Sequence, residues 1–331
     1  MRFTVTVLFI VAVFQNLTCS AAAVNEATSP KGMVLTFDDL PYAATSIRRN
    51  TVAHVRLVTD AILATLQKNR APAAAFVNEV KLQVTGEFDE RRALLQQWVD
   101  AGAVLGNHTF SHADFNSVTT AEFKQEIVKG EIVTKNLMKP HAPYQLYFRH
   151  PYTHTGASKV KKGEIDRFLL GRGYKVAPHT IDSQDYIFNA VYLHSKEQGD
   201  EATAMRICEA YWDFVLRATE FAEDISAQIF GRNIPQTLLL HANDLNADCL
   251  DELLVRFKRR GYAFVSLDAA ISDAAYETED TFVTAYGPSW LWRWMKSKEM
   301  NISFRGDPEP PGWVTALFQQ ASLAAQEKQQ F

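Results

Sequence analysis

Short apolar runs that stop at a polar residue alternate along this chain with long amphipathic stretches, and that alternation leaves few architectures open. The first run, Met33–Phe37, ends at Asp38-Asp39. A helix over Val52–Asn69 follows, with Val55, Val58, Ile62 and Leu66 at steps of three and four. Ala73–Val77 reads as a strand, Asp89–Ala101 as a helix ended by Gly102, and Ala103–Asn107 as a strand leading to His108. Thr119, with Glu122 three residues on, forms a capping box opening a helix to about Met138, where Pro140 and Pro143 break the pattern. Leu146–Phe148 is the next strand, followed by Arg149. A helix from Ser158 ends at Gly171 or Gly173, and Tyr174–Ile181 is a strand with Pro178 inside it. A long insertion at 187–232 is mostly helical, from about Ala202 to Phe230. Thr237–Leu240 is a strand ending at His241, Ala247–Arg260 a helix closed by Gly261, and Ala263–Leu267 the last strand. Strand–helix alternation implies a parallel sheet in an α/β protein. Seven such units suit an incomplete (β/α) barrel better than an open sheet. The stretch from about Tyr276 onward, rich in Trp, Pro and Gly, is expected to wrap that barrel.

Residues 1–23 have another character. Arg2 precedes an apolar run, Phe3 to Phe14, and the small residues Thr18-Cys19-Ser20-Ala21-Ala22-Ala23, the pattern of a cleaved secretory signal. The run is short of the ~20 residues that span a bilayer, so the expectation is an exported protein, periplasmic or secreted, with no membrane span. Without that leader, 33 basic residues face 38 acidic ones, a net charge of −5. A mildly acidic chain with scattered Lys and Arg is a poor nucleic-acid binder. Only Cys208 and Cys249 then remain, and a disulfide or two buried thiols are both open. Two cysteines cannot build a four-thiolate zinc site, so any metal must be held mainly by His and carboxylate.

The polar outliers fall at one kind of place. Asp38-Asp39, His108, Arg149, Asp182/Asp185 and His241 all follow the C-terminal ends of expected strands, the end that carries the active site in parallel α/β barrels. Taken singly, each has an ordinary explanation. Paired Asp residues cap turns, a lone His-x3-His is often coincidental, and His241 after Leu-Leu-Leu could bond a carbonyl in the core. Yet His108 and His112, four apart, would share one face of a helical turn, as metal sites use. Five such coincidences at strand ends argue for one site.

The order of these motifs resembles that of the polysaccharide deacetylases, the NodB-homology group or carbohydrate esterase family 4. Thr-Phe-Asp-Asp at 36–39, His-Thr-Phe-Ser-His at 108–112, Arg-His-Pro-Tyr at 149–152, Asp-Ser-Gln-Asp-Tyr at 182–186 and Leu-Leu-His at 239–241 carry the resemblance, which covers about residues 31–270. The helical insertion and the tail, with Trp290, Trp292, Trp294 and Trp313, look like those of an exported bacterial subgroup. The resemblance implies a distorted (β/α)7 barrel of the NodB-homology type, with residues 31–275 as the catalytic domain and 276–331 as an extension. It implies that Asp39, His108 and His112 hold Zn²⁺, although Co²⁺ or Ni²⁺ fits the same ligands. Asp38 would act as general base with Arg149 orienting it. His241 would be the general acid with Asp185 favouring its charged form. The backbone N–H of Tyr152 would help bind an oxyanion. The implied activity is removal of acetyl groups from an N- or O-acetylated saccharide such as peptidoglycan or a chito-oligosaccharide.

There are departures from the family pattern. Leu40 stands where Gly usually follows the paired Asp, and is expected to change the mouth of the groove. Tyr186 stands where Trp is common, altering the wall against His241. Asp182 is read as a turn former, and His150, His154 and His179 as structural. Leu40 and the insertion could instead narrow the groove to fit a small amide or cyclic imide. A non-catalytic sugar-binding protein is a third reading, weakened by the presence of both Asp38 and His241. The tail tryptophans are expected to pack more than to stack on sugar.

Overall fold

The computed structural model describes residues 31–43 and 49–329, with the side chains from 323 onward left aside. The expected leader at 1–23 lies outside the described residues. Strand β1 (Lys31–Leu40) is the hub. It is followed by α1 (Val52–Asn69), β2 (Ala73–Val77), α2 (Phe88–Asp100), β3 (Val104–Asn107), α3 (Thr120–Lys129), α4 (Ile132–Met138) and β4 (Leu146–Phe148). Next come α5 (Lys159–Gly171), β5 (Tyr174–Val176), β6 (Ile181–Asp182), α6 (Asp185–Glu197) and α7 (Glu201–Phe230). The chain continues with β7 (Gln236–His241), α8 (Asp244–Arg259), β8 (Tyr262–Phe264), α9 (Leu267–Ile271), α10 (Trp290–Ser297) and α11 (Gly312–Gln329).

All strand pairs are parallel, in the order β5-β4-β3-β2-β1-β7-β6, with β8 on the first residues of β1. This is the expected α/β class with strands and helices in alternation, curled rather than closed: among the described residues β5 and β6 share no pairing. The last unit differs from the expected single strand over Tyr174–Ile181. Pro178 lacks an N–H, and the segment splits there into β5 and β6. The tail occupies that side. The Trp290 N–H donates to the His179 carbonyl at 2.8 Å, and Trp290, Leu291 and Trp294 are buried in the main core with Ile181 and Phe188.

The helix expected from Thr119 to Met138 is two helices. Its capping box is present, but the chain breaks at Gly130. A Cβ there would lie 2.6 Å from the Thr109 carbonyl carbon and 2.7 Å from the Phe110 nitrogen. The close approach seats the His108–His112 loop on the end of α3. The Phe110 N–H donates to the Glu126 carbonyl at 3.0 Å, and Ser111 donates twice to the Glu126 carboxylate.

The insertion is core rather than rim. α6 and α7 bury Phe188, Val191, Tyr211, Phe214 and Val215, and a Cys208–Cys249 disulfide ties α7 to α8 across a Cα–Cα distance of 5.9 Å. Leu40 is fully buried in the same core, so its side chain does not line the groove mouth as expected. Among the described residues no helix is long and apolar enough to cross a membrane.

Candidate active site

The curled sheet brings the strand-end residues to one rim. β1 and β7 run in register from Met33–Gln236 to Asp38–His241, which places Asp38 opposite His241 on neighbouring strands. The loops on this rim are held in unusual backbone. Asp39 (φ 71°), Thr109 (64°), His112 (59°), Tyr152 (54°), Thr153 (52°) and Gln184 (46°) are all left-handed without being glycine. Such positions cost of order 1–3 kcal/mol each and persist where the surroundings over-determine them.

Three ligand-type atoms converge. Asp39, His108 and His112 each offer one atom, all within 4.8 Å of one another. Nε2 of His112 is 3.5 Å and Nε2 of His108 is 3.8 Å from Oδ1 of Asp39. His108 donates its Nδ1–H to the Arg149 carbonyl at 2.8 Å, which leaves Nε2 as the lone-pair nitrogen facing the others. Burial pushes both imidazoles down to about 4, so both are neutral at pH 7. Oδ1 of Asp39 is buried without a hydrogen-bond partner. Burial works against its charge, but Lys81 and the two histidines outweigh that and hold its carboxyl well below the usual range. Two neutral imidazoles and one ionised carboxylate fit a divalent metal of the zinc type.

Asp38 and Arg149 lie behind this triad, 3% and 0% exposed. Oδ2 of Asp38 is 3.8 Å from Nη1 of Arg149 and 3.9 Å from Nε2 of His108. Burial raises the Asp38 carboxyl, with Arg149 pulling the other way. Nη2 of Arg149 donates to the Thr36 hydroxyl at 3.0 Å, and its guanidinium lies 4.8 Å over the Phe76 ring.

On the other side His241 donates its Nδ1–H to Oδ1 of Asp185 at 2.6 Å. Asp185 is fully buried. Its Oδ2 accepts from the His241 backbone N–H (2.7 Å), Asn243 Nδ2 (3.0 Å) and Asn246 Nδ2 (2.6 Å). Burial opposes a charged His241, but the Asp185 carboxylate beside it wins and pushes its pKa up to about 10. Asp38 and His241 are thus opposite kinds of proton-transfer group on one rim.

Tyr152 is exposed at the mouth, its ring edge-on to His112 at 4.5 Å. Tyr186 is exposed as well and faces Phe318 of α11 at 6.2 Å. Asp182 accepts the Gln184 N–H at 2.9 Å, the turn-former expected of it. His150 is buried between Phe123 and Phe148, and His154 pairs with Asp114. Of the tail tryptophans, Trp290 and Trp294 are buried and Trp292 packs on Phe304.

Sequence reasoning missed the residues that hold the loops. Nζ of Lys81 lies 3.3 Å from Oδ1 of Asp39 and donates to the Asp39 carbonyl at 2.9 Å. Asn78 donates to the His108 carbonyl at 2.6 Å, and Oδ1 of Asn107 accepts the Thr109 N–H at 2.7 Å. Asn78 and Asn107 both end apolar runs, so the strand-end signal that found Asp38 would have found them. Asn246 falls just before the helix expected from Ala247 and carries no signal of its own.

Residues 25–165 match the family model described as Polysaccharide deacetylase. The chain is similar to a chitin deacetylase of Pestalotiopsis sp, 27% identical over 49% of this chain and 46% of that protein. It spans less than half of that relative's length. It is also similar to the chitin deacetylase of Colletotrichum lindemuthianum, 24% identical over 75% of this chain and 83% of that one. A solved structure of a chitin deacetylase from that fungal pathogen has a TM-score of 0.49 at 21% identity, covering 75% of this chain and 91% of it. The family match spans less than half of this chain. These similar proteins include a chitin deacetylase of a fungal pathogen, so they give no support to the expected bacterial subgroup. The matched segment carries the first three motifs; Asp185 and His241 lie beyond it and join the site through the fold.

Proposed function

We propose that the protein is a metal-dependent hydrolase that removes acetyl groups from an N- or O-acetylated saccharide. One observation carries this reading: a buried carboxylate, Asp38, and a histidine held charged by Asp185, His241, stand in register on adjacent strands beside the Asp39–His108–His112 cluster. Asp39, His108 and His112 would hold the metal, Zn²⁺ or a similar divalent ion. When bound, such an ion supplies polarisation of the acyl oxygen and acidification of water.

The chain's own residues do the rest. Asp38 takes the proton from the attacking water, with Arg149, itself held by the Thr36 hydroxyl, orienting it. Acyl hydrolysis leaves an amine or alkoxide that must be protonated, and His241, charged at pH 7, stands ready to give that proton. Asp185, fastened by Asn243 and Asn246, keeps the imidazole in one tautomer and one orientation. The left-handed Tyr152 backbone would present an N–H to the developing oxyanion. Residues 31–275 are proposed as the catalytic unit and 276–331 as an extension that completes its wall. An exported location, periplasmic or secreted, is supported by the leader pattern at 1–23 and by the Cys208–Cys249 disulfide, which suits an oxidising compartment.

The small-amide alternative rested on Leu40 and the insertion narrowing the groove. Leu40 is in the core and the insertion packs inside the fold, so neither supports it. The test is acetate release from acetylated chito-oligosaccharides, acetylxylan and peptidoglycan by metal-loaded and metal-stripped protein. Full activity of stripped protein would sink the proposal.

A further inference from the structure

Beside His241 a second recess opens that the hydrolytic residues do not use. Its volume is about 190 Å³. One wall is His179–Gln184 at the end of β6, where Asp182 pairs in register with Leu239, two residues before His241. The floor is α7, with Phe214 and Phe221. The opposite wall is the tail, with Trp292, Phe304 and Asp307. That wall is fixed to the mouth of the site. The Thr153 hydroxyl donates to the Gly287 carbonyl at 2.7 Å, and a Cβ on Gly287 would lie 2.0 Å from the Tyr152 carbonyl oxygen, so no side chain fits there.

The chemistry of the lining is one-sided. Two carboxylates, Asp182 and Asp307, border the recess and no Lys or Arg lines it, the nearest cations being Arg149 and Arg293 behind His179 and Lys296 over the Trp292 ring. Asp307 is exposed as a residue, but the partial enclosure of its carboxyl, and then the neighbouring carboxylates Glu309 and Asp182, push it up to about 6, which a cation between the acids would relieve. His179 supplies an independent sign of a ligand. It is 1% exposed, lines the recess, and its Nδ1 has no hydrogen-bond partner. Burial keeps this imidazole neutral. Trp292 and Phe304 add apolar ring surface, which complements the C–H face of a pyranose.

We propose that this recess is a subsite for an amino-sugar ring bearing a free amine, the neighbour of the ring being deacetylated. The inference rests on the deacetylase reading, because hydrolysis of an N-acetyl group is what produces such a ring. The ammonium sits with Asp182 and Asp307, a hydroxyl meets His179, and the ring face lies on Trp292 and Phe304. The protein then favours acetylated rings that adjoin one already deacetylated, and deacetylation spreads along the chain.

The test is calorimetric binding of the glucosamine disaccharide and of its di-N-acetylated counterpart to the full protein at pH 7.5. The free-amine disaccharide is expected to bind at least tenfold tighter, and Asp307→Asn and Trp292→Ala are each expected to weaken it at least tenfold. Asp307 is solvent-exposed, so Asp307→Asn is the variant that keeps the fold, checked by thermal melting. Equal affinity for the two sugars, or binding unchanged in Asp307→Asn, overturns the subsite. Acetate release by the unaltered protein separates the two readings. Selective binding without acetate release removes the deacetylase assignment, and acetate release without selective binding removes only the subsite.

Discussion

Replacing Asp185 by Asn tests the proposed acid directly. In the folded protein burial disfavours the charge of His241, and the Asp185 carboxylate at 2.6 Å, followed by Asp39 and Asp38, overrides burial and lifts the pKa to about 10. Without that carboxylate burial is opposed only by the weaker pull of Asp39 and Asp38, and the pKa is expected to fall towards the ordinary value near 6.5. A complete return to that value would be a shift of about 3.5 units, roughly 5 kcal/mol at 1.36 kcal/mol per unit. An acid is useful only while protonated. The alkaline limb of kcat, near pH 10 in the native protein, is expected to move down towards pH 6.5 in Asp185→Asn, with activity at pH 8 reduced by up to roughly 30-fold by protonation alone. The same linkage acts on stability. The folded pKa lies above the unfolded one, so the stabilisation is whole below pH 6.5 and is lost as pH rises towards 10. The variant's melting temperature is therefore expected to vary less over that window. The assay is acetate release at saturating substrate from pH 5 to 10, with melting curves at each pH. An alkaline limb that stays where it was would refute the acid role of His241 and its dependence on Asp185.

Three further outcomes are expected. Lys81→Met removes both a cation 3.3 Å from Asp39 and the donor that holds the Asp39 carbonyl, so Zn²⁺ affinity, read in competition with a chromogenic chelator, should change by about tenfold, ~1.4 kcal/mol; an unchanged affinity would contradict the placement of the metal. Gly130→Ala drives a methyl into the Thr109–Phe110 backbone, and overpacking of this kind costs roughly 1–3 kcal/mol; denaturant melts should show that loss and metal titration a weakened site, whereas an unchanged metal affinity would break the link from α3 to the histidines. Cys208→Ser with Cys249→Ser opens a loop with a sequence separation of 41 and should cost about 4 kcal/mol by chain entropy; a melt unchanged under reducing and oxidising conditions would argue against the bridge.

How far the sequence could be read depended on where each constraint originates. α1 has the bounds read from its periodicity, and β2 those of its apolar run, because local pattern and burial agree there. The strand-end residues were legible because a charged side chain after an apolar run has little other reason to be there. Gly130 was not, since a lone glycine in a helical pattern is tolerated and only the docked His108–His112 loop demands it. Leu40 misled for the converse reason: its place in a family pattern says nothing of which way the side chain turns. Asn246 and Lys81 act across the fold, at 61 and 42 residues from their partners, and carry no local signature. The tail was legible as aromatic packing. The recess it forms with β6 and α7 needed coordinates.

The register of β1 against β7 has a consequence for when chemistry becomes available. Asp38 and His241 are about 200 residues apart in the chain and meet only through this pairing. Contacts of such long range are closed late, after the local helices and the β1–β2 unit have formed. A partly folded chain can then carry every reactive residue and still lack an acid facing a base. The proposed activity is then expected to appear only with the central sheet, and its recovery after denaturation would report the closing of β7 onto β1 more directly than any measure of helix content.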